Sequence, residues 1–247
     1  MRLLSVNLAR PRSVGYTNAP GGLTGIDKRP ADGPVAVTAP GSGGGSGLAG
    51  DVIGDPLFHG GDDQAVYAFA REDLDGWEEV LGRELPNGVF GENLTTVGAD
   101  VSGALIGERW RIGPDTVLEV SCARTPCRTF AYLLGEMGVL PTERGAGWMK
   151  AFTRAAAPGA YLRVAEPGEI RAGDRIEVLH RPDHEVTVSL LFRALTTERS
   201  LLPRVLDAAT TPWPPPPGRR RWSTSRSTPP DASGTRPARP RPDSVPV

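Results

Sequence analysis

The chain predicts a mainly β fold: a β-barrel-like sheet with a few short helices, followed by a short C-terminal helical segment. Three observations predict it. Short apolar runs recur at hairpin spacing and are broken by Gly and Pro, which favours a barrel over alternating βαβ units. One long helical stripe stands out, at 71–81. Beyond residue 186 the apolar spacing changes from that of strands to that of helices.

The bulk numbers agree with one sizeable core. The chain has 247 residues, 38% hydrophobic and 23% charged, and no apolar run approaches the roughly 20 residues that cross a bilayer. A soluble protein is therefore expected. Two cysteines, and an N-terminus too short in apolar residues for a signal peptide, suggest a reducing cytoplasm. Residues 210–247 carry 11 prolines, 7 arginines and 2 acids with almost no aliphatic residue, so disorder is expected there. The body without that tail keeps 21 basic and 27 acidic side chains out of 28 and 29. That balance argues against specific binding of nucleic acid. Lys28 and Lys150 are the only lysines, which limits imine chemistry to two side chains.

Residues 2–8 alternate and suit a first strand. The turn-rich stretch 21–34 holds Lys28 between Asp27 and Arg29, where it is either a solvated loop lysine or an anion contact. A short strand, 35–38, leads to the run GSGGGSG within 40–50, expected as a flexible surface insertion with no side chain suited to chemistry. His59-Gly60-Gly61 follows, where glycine lets backbone amides approach an anion and imidazole adds a donor. A strand at 65–69 precedes the helix 71–81, whose stripe is Leu74, Trp77, Val80 and Leu81. A glycine turn then feeds Asn93 and Thr95 into a strand; two residues apart, they share a face and can address one ligand.

Strands are expected at 104–112, 116–120, 160–164, 169–170 and 174–179, and a short helix at 148–154. His180 and His184 lie in a polar stretch and receive no role. After 186, Val188, Leu191 and Leu195 and then Leu201, Leu202, Val205 and Leu206 predict two short helices, with Thr196 or Thr197 capping the second. Two such helices cannot bury both apolar faces alone and must dock on the sheet or on a third helix. The expected organisation is a barrel domain at 1–182, a partial helical appendage at 183–209 and the tail at 210–247.

The chemistry concentrates between Glu119 and Phe130. A strand-like run delivers Cys122 and Cys127 into a loop where Arg124 and Arg128 flank Cys127 and Pro126 stiffens the approach. Nearby guanidinium groups favour the thiolate, the form that acts as nucleophile or metal ligand. The local residues leave two readings of Cys127 open: that one, or a small buried hydrophobe. Cys122 continues the strand and fits the second reading, and a Cys122–Cys127 disulfide is not expected.

The order of these segments carries a resemblance. Lys28 in GIDK, then HGG, FGENLTT, IGER, RTPC and a closing Gly-Asp strand resemble the MOSC family, domains similar to the C-terminal part of molybdenum cofactor sulfurase, and within it the stand-alone bacterial YiiM type. The likeness covers residues 2–181, and 186–209 resembles the start of a small three-helix domain, whose third helix the Pro/Arg tail replaces. The resemblance implies a MOSC-type barrel that holds molybdenum cofactor (molybdopterin), with Cys127 as metal ligand and catalytic residue. It also implies reduction of N-hydroxylated compounds such as hydroxylamino-purines and amidoximes. Lys28 falls near the expected pterin phosphate, Asn93 and Thr95 on the pocket strand, Arg124 on the cysteine loop and His59 on the family's HGG. Nothing resembles a flavin or iron–sulfur module, so electrons are expected from a separate reductase protein. The alternatives are a non-catalytic sulfur or cofactor carrier using Cys127, a hydrolase pairing Cys127 with His59, and a zinc site of Cys122, Cys127 and His59.

Overall fold

A computed structural model describes residues 1–41, 44–56, 58–140 and 145–210, with side chains to 208. The disorder expected from residue 210 onward, its first residue apart, lies outside the described residues. The molecule is built on one mixed sheet. In chain order its strands are β1 (Arg2–Ala9), β2 (Arg12–Ser13), β3 (Leu23–Thr24), β4 (Lys28–Pro30), β5 (Val35–Val37), β6 (Val66–Ala70), β7 (Leu94–Val97), β8 (Arg109–Ile112), β9 (Thr116–Ala123), β10 (Ala160–Glu166), β11 (Gly168–Ile170) and β12 (Ile176–His180). Eight of them form the order β12-β8-β9-β10-β6-β7-β1-β4, while β5 pairs with β11 and β2 with β3.

No closed barrel is found among these strands; β12 and β4 are the edges of the large sheet. The free edge of β1 is shared. Its last residues pair with β4, Asn7 opposite Pro30 and Ala9 opposite Lys28. Its first residues reach the segment entering β12: Leu3 N donates to Asp174 O at 2.9 Å, Ile176 N to Met1 O at 3.0 Å, and Arg2 bridges Arg175. The two ends of the sheet are thus tied by a short link rather than a full ladder. The hairpin expectation also has one exception. β6 and β7 run parallel, joined by a crossover through α1 (Arg71–Leu81).

Two apolar clusters fill the molecule. One sits within the curl of the sheet around Leu3, Val6, Val37, Trp110, Leu118 and Leu162. The strict alternation of burial along β10 is the period-two signature of that face. The other is aromatic and lies beneath three helices, α1, α2 (Arg128–Glu136) and α3 (Trp148–Ala155), joining Phe69, Trp77, Phe90, Phe130, Trp148 and Phe152.

Several local expectations change. The expected strand 104–112 shortens to β8, because the amides before it go to turns and scattered partners rather than to one ladder: Ala104 N to Val101 O, Ile106 N to Val186 O and Glu108 N to Leu105 O. The stretch after Cys127 is a helix rather than a loop. Beyond 186, α4 (Val188–Thr196) is capped by Thr187, whose hydroxyl accepts from Leu190 N at 3.0 Å. Thr196 caps nothing. Its hydroxyl bonds back to Phe192 O at 2.6 Å, and a 3-10 turn at Arg199–Leu201 leads into α5 (Leu202–Thr210). α4 docks on the sheet: Val188 joins the inner core and Val188 N donates to Ala104 O. The described part of the glycine run is anchored as well, with Gly47 N on Ala65 O at 2.7 Å and Leu48 bridged to Val37. Among the described residues no helix is long and apolar enough to cross a membrane.

Candidate functional site

β9 ends at Ala123, and the chain then turns through Arg124 to Cys127, the N-cap residue of α2. Here opens a cleft of about 450 Å³. Cys127, Arg124, His59, Lys28 and Asn93 all line it, so five of the six candidate residues converge although they come from four separate segments. Cys127 is half-buried, and both cysteines are free thiols. It occupies the N-cap position of α2, the positive end of the helix dipole, although its sulfur makes no capping hydrogen bond.

Arg124 is the most unusual group in the cleft. Its residue is 5% exposed, and its guanidinium carbon sits 3.8 Å from the centre of the Phe130 ring and 5.3 Å from that of Tyr67. Among the described residues it makes no ion pair, and its Nη1 is buried without a hydrogen-bond partner. A buried cation normally has a paired acid. Burial opposes its charge, yet the surrounding Tyr67, Cys127, Tyr161 and Glu92 keep the guanidinium firmly protonated. The two tyrosines stay protonated too: burial is the main cause for both, and it pushes Tyr161 up to about 12.

Lys28 lines the cleft but is not a solvated loop lysine. It is 5% exposed and its ammonium holds both oxygens of Asp51, at 2.6 and 2.7 Å. Asp51 also accepts from Ala9 N, the Ser46 hydroxyl and Asn93 Nδ2, so one carboxylate ties four segments together. Burial pulls the Lys28 ammonium down, against the attraction of Asp51. Burial also works against the Asp51 charge, but Lys28 and the hydroxyl and amide donors hold that carboxyl below the usual range. An ammonium has three donors, and two are spent here.

Asn93 and Thr95 do not act as a pair. Asn93 stands just before β7 and spends its amide on the frame, accepting from Tyr67 N at 3.1 Å and donating to Asp51 and Asn7 O. Thr95 is 0% exposed and lies behind the wall, accepting from Asn7 Nδ2 and donating to Glu92 Oε1 at 2.9 Å. Glu92 is fully buried and needs every donor it can find, which draws Thr95 inward.

His59 is half-buried at the rim. Burial, and after it the charge of Arg124, lower its pKa below 6.5, so the imidazole is neutral at pH 7. Gly60 after it has φ 81°, and a Cβ there would meet Gly45 O at 2.5 Å, so the turn demands glycine. Gly61 N is spent on Gly45 O at 2.9 Å, which makes the glycine run the seat of this turn rather than a free insertion. Among the described residues no hydrogen bond joins His59 to Cys127, and no three His, Cys, Asp or Glu side chains gather into a metal cage. The first fact leaves the hydrolase without its base contact; the second removes the zinc site. Cys122 lies outside the cleft lining, its thiol raised by burial, with Sγ 3.9 Å from Asp63 O.

Sequence reasoning missed Asp51, Tyr67 and Tyr161. A lone acid after a glycine run and two strand tyrosines carry no motif; their roles come from what the fold brings beside them.

A profile of the MOSC domain matches residues 55–177. The chain is 32% identical over 191 residues to YflK, an uncharacterized protein of Bacillus subtilis (strain 168), covering 77% of this chain and 79% of that protein. It is 30% identical over 187 residues to a protein named reductase from Gibberella moniliformis (strain M3125 / FGSC 7600), covering 72% of this chain but 30% of that longer protein. The crystal structure of YiiM from Geobacillus stearothermophilus superposes with a TM-score of 0.65 at 25% identity, over 85% of this chain and 91% of that one.

Proposed function

The chain belongs to the MOSC domain family, and from that premise we propose that it binds molybdenum cofactor through Cys127 and reduces N-hydroxylated compounds. The observation that carries the reading is Arg124: a buried cation without an acid partner, beside a half-buried thiol at a helix head. Such an arrangement suits a ligand that is both anionic and soft-metal-bearing. The orphan Nη1 is a donor for an anionic oxygen, and the thiolate is the soft donor that molybdenum favours. With no side-chain cage among the described residues, the metal must bring most of its donors with it. We read the curled sheet, tied through residues 1–3 and 173–176, as the barrel of this reading.

When bound, the cofactor supplies a two-electron change at its metal. The chain's own residues do the rest. Cys127 would be the metal ligand, at the head of α2 and in the same cleft as the Arg124 charge. Lys28 keeps one donor for a phosphate oxygen while Asp51 fixes its position. Neutral His59 offers a donor or acceptor at the rim. Apolar Leu23, Ile26, Val52 and Ile53 keep water from the wall. Overall, an N–OH bond breaks, two electrons and two protons enter, and an amine and water leave; the electrons come from a separate reductase.

The test is metal and pterin analysis of protein made in a cofactor-competent host, with turnover of a hydroxylamino-purine by a reconstituted reductase system. Cys127→Ser is expected to abolish turnover, and Arg124→Ala to lower bound pterin by about tenfold, the scale of one lost charge-assisted hydrogen bond. Full rate in Cys127→Ser removes that sulfur from the mechanism. Retained cofactor with no turnover by any variant would make the protein a carrier.

A further inference from the structure

The floor of the cleft is charged and its mouth is aromatic, and the two aromatic side chains at the mouth are held in opposite ways. Tyr16, in the loop between β2 and β3, is fixed. Its ring stacks on Tyr132 with centroids 4.9 Å apart, and its hydroxyl donates to Glu136, which also pairs with Arg12. Arg128 holds Asn18 of the same loop at 2.7 Å. Arg128, Tyr132 and Glu136 are four residues apart in turn, one face of α2, so the loop is strapped along the helix whose head carries Cys127.

Phe58 is the opposite case. It lines the same cleft, next to His59, yet is 68% exposed and stacks on no ring among the described residues. Seven large apolar side chains are exposed among the described residues; Phe58 is the one aromatic among them and the only one in this cleft. An isolated apolar ring on a surface is ordinary. One standing at the open mouth of a cleft, beside a loop tethered to α2, offers a π-face that a flat ligand can cover.

Resting on the reading of the site as a reductase of N-hydroxylated compounds, we propose that Phe58 is a specificity-determining residue. Its ring stacks on the planar part of the substrate while the N-hydroxyl group points inward to Cys127 and Arg124, so flat aromatic substrates are preferred over aliphatic ones bearing the same group.

The test compares benzamidoxime with acetamidoxime, which share the reacting group and differ by the ring, on cofactor-loaded wild type, Phe58→Ala and Phe58→Trp. Calorimetric binding and kcat/KM are both measured. Phe58→Ala is expected to lower the benzamidoxime-to-acetamidoxime ratio by about five- to tenfold in both readouts, the range of one aromatic contact, and Phe58→Trp to restore it. An unchanged ratio, or failure of the wild type to bind benzamidoxime more tightly than acetamidoxime, overturns the assignment. Pterin content and turnover of either compound report separately on the reductase reading. A protein that fails to turn over both, yet loses its ring preference in Phe58→Ala, keeps this assignment while losing that reading.

Discussion

His59 shows how one charge in a cleft reaches a neighbour it does not bond. Burial lowers its pKa from 6.5, and Arg124 adds to the shift while Asp55 opposes it. The unfolded chain takes up this proton as pH falls past 6.5; the folded chain does so only at lower pH. The contribution of His59 to stability is therefore complete above 6.5 and is lost as pH falls through the folded value. Asp73 works in the other sense. Burial, and then Asp100 and Glu72, push it up to about 6 from 3.8, so its contribution is present below 3.8 and lost as pH rises towards 6. The two overlap below about pH 6, and a wild-type profile alone would mix them. The informative measurement is the difference between wild type and His59→Gln: Tm of the variant should fall less than that of wild type between about pH 7.5 and about pH 5. Parallel profiles would show that the imidazole titrates alike in both states.

At the scale of elements, α2 and its aromatic bed decide whether the cysteine loop keeps its shape. Phe130 is 0% exposed, with Phe90, Phe152 and Trp148 at 5.2, 5.4 and 5.5 Å, and it carries the Arg124 guanidinium on its face. Phe130→Ala should cost about 3 to 5 kcal/mol in urea unfolding, the usual loss for a buried ring, and should lower pterin content in whatever folded protein remains. Phe130→Leu should cost less stability but still remove the π-face from Arg124, so a Leu variant with full pterin content would show that the ring only fills space. This element is also where the sequence was hardest to read. α1 was legible because Leu74, Trp77 and Leu81 repeat with the helical period and acids crowd its first turn, although Val80 of the expected stripe is exposed. α2 was not: Pro126 and two arginines read as loop, and the buried run Phe130, Ala131, Leu133 and Leu134 is too short to establish a period. Within the site, Cys127 and Arg124 were legible because a thiol and a guanidinium in one loop state their chemistry. The Lys28–Asp51 pair was not, since its partners stand 23 residues apart and nothing local marks them as neighbours. Thr95 misled for a related reason. The period-two rule put Thr95 on the face of Asn93 but could not say that a buried Glu92 would claim its hydroxyl.

Across the whole molecule, a line of charge connects the middle of the sheet to the rim of the cleft. Glu119 of β9 stands directly opposite Arg109 of β8 on one side and Arg163 of β10 on the other, with ion pairs of 2.7 and 2.8 Å, and its carboxylate is wholly buried. Arg163 continues to Asp63 at 2.9 Å, in the 3-10 turn that follows His59-Gly60-Gly61. The three strands thus share one acid, and the last arginine also holds the segment that shapes the rim. The two ends of the line should differ in weight. Asp63 is 64% exposed at its side chain, so Asp63→Ala should cost less than about 1 kcal/mol, with much of even that lost in high salt. Glu119→Ala strands Arg109 and leaves Arg163 only the exposed Asp63, and should cost about 3 kcal/mol, towards the lower end for a broken buried pair because both arginines keep some contact with water. Glu119→Met, which fills the volume but accepts nothing, should be nearly as costly, since the lost ion pairs of Arg109 and Arg163 rather than the cavity carry the loss. Urea unfolding of the three variants checks the order. A Glu119→Met protein as stable as wild type would mean that the arginines find water on their own and that the sheet is held by its ladder and its apolar face alone.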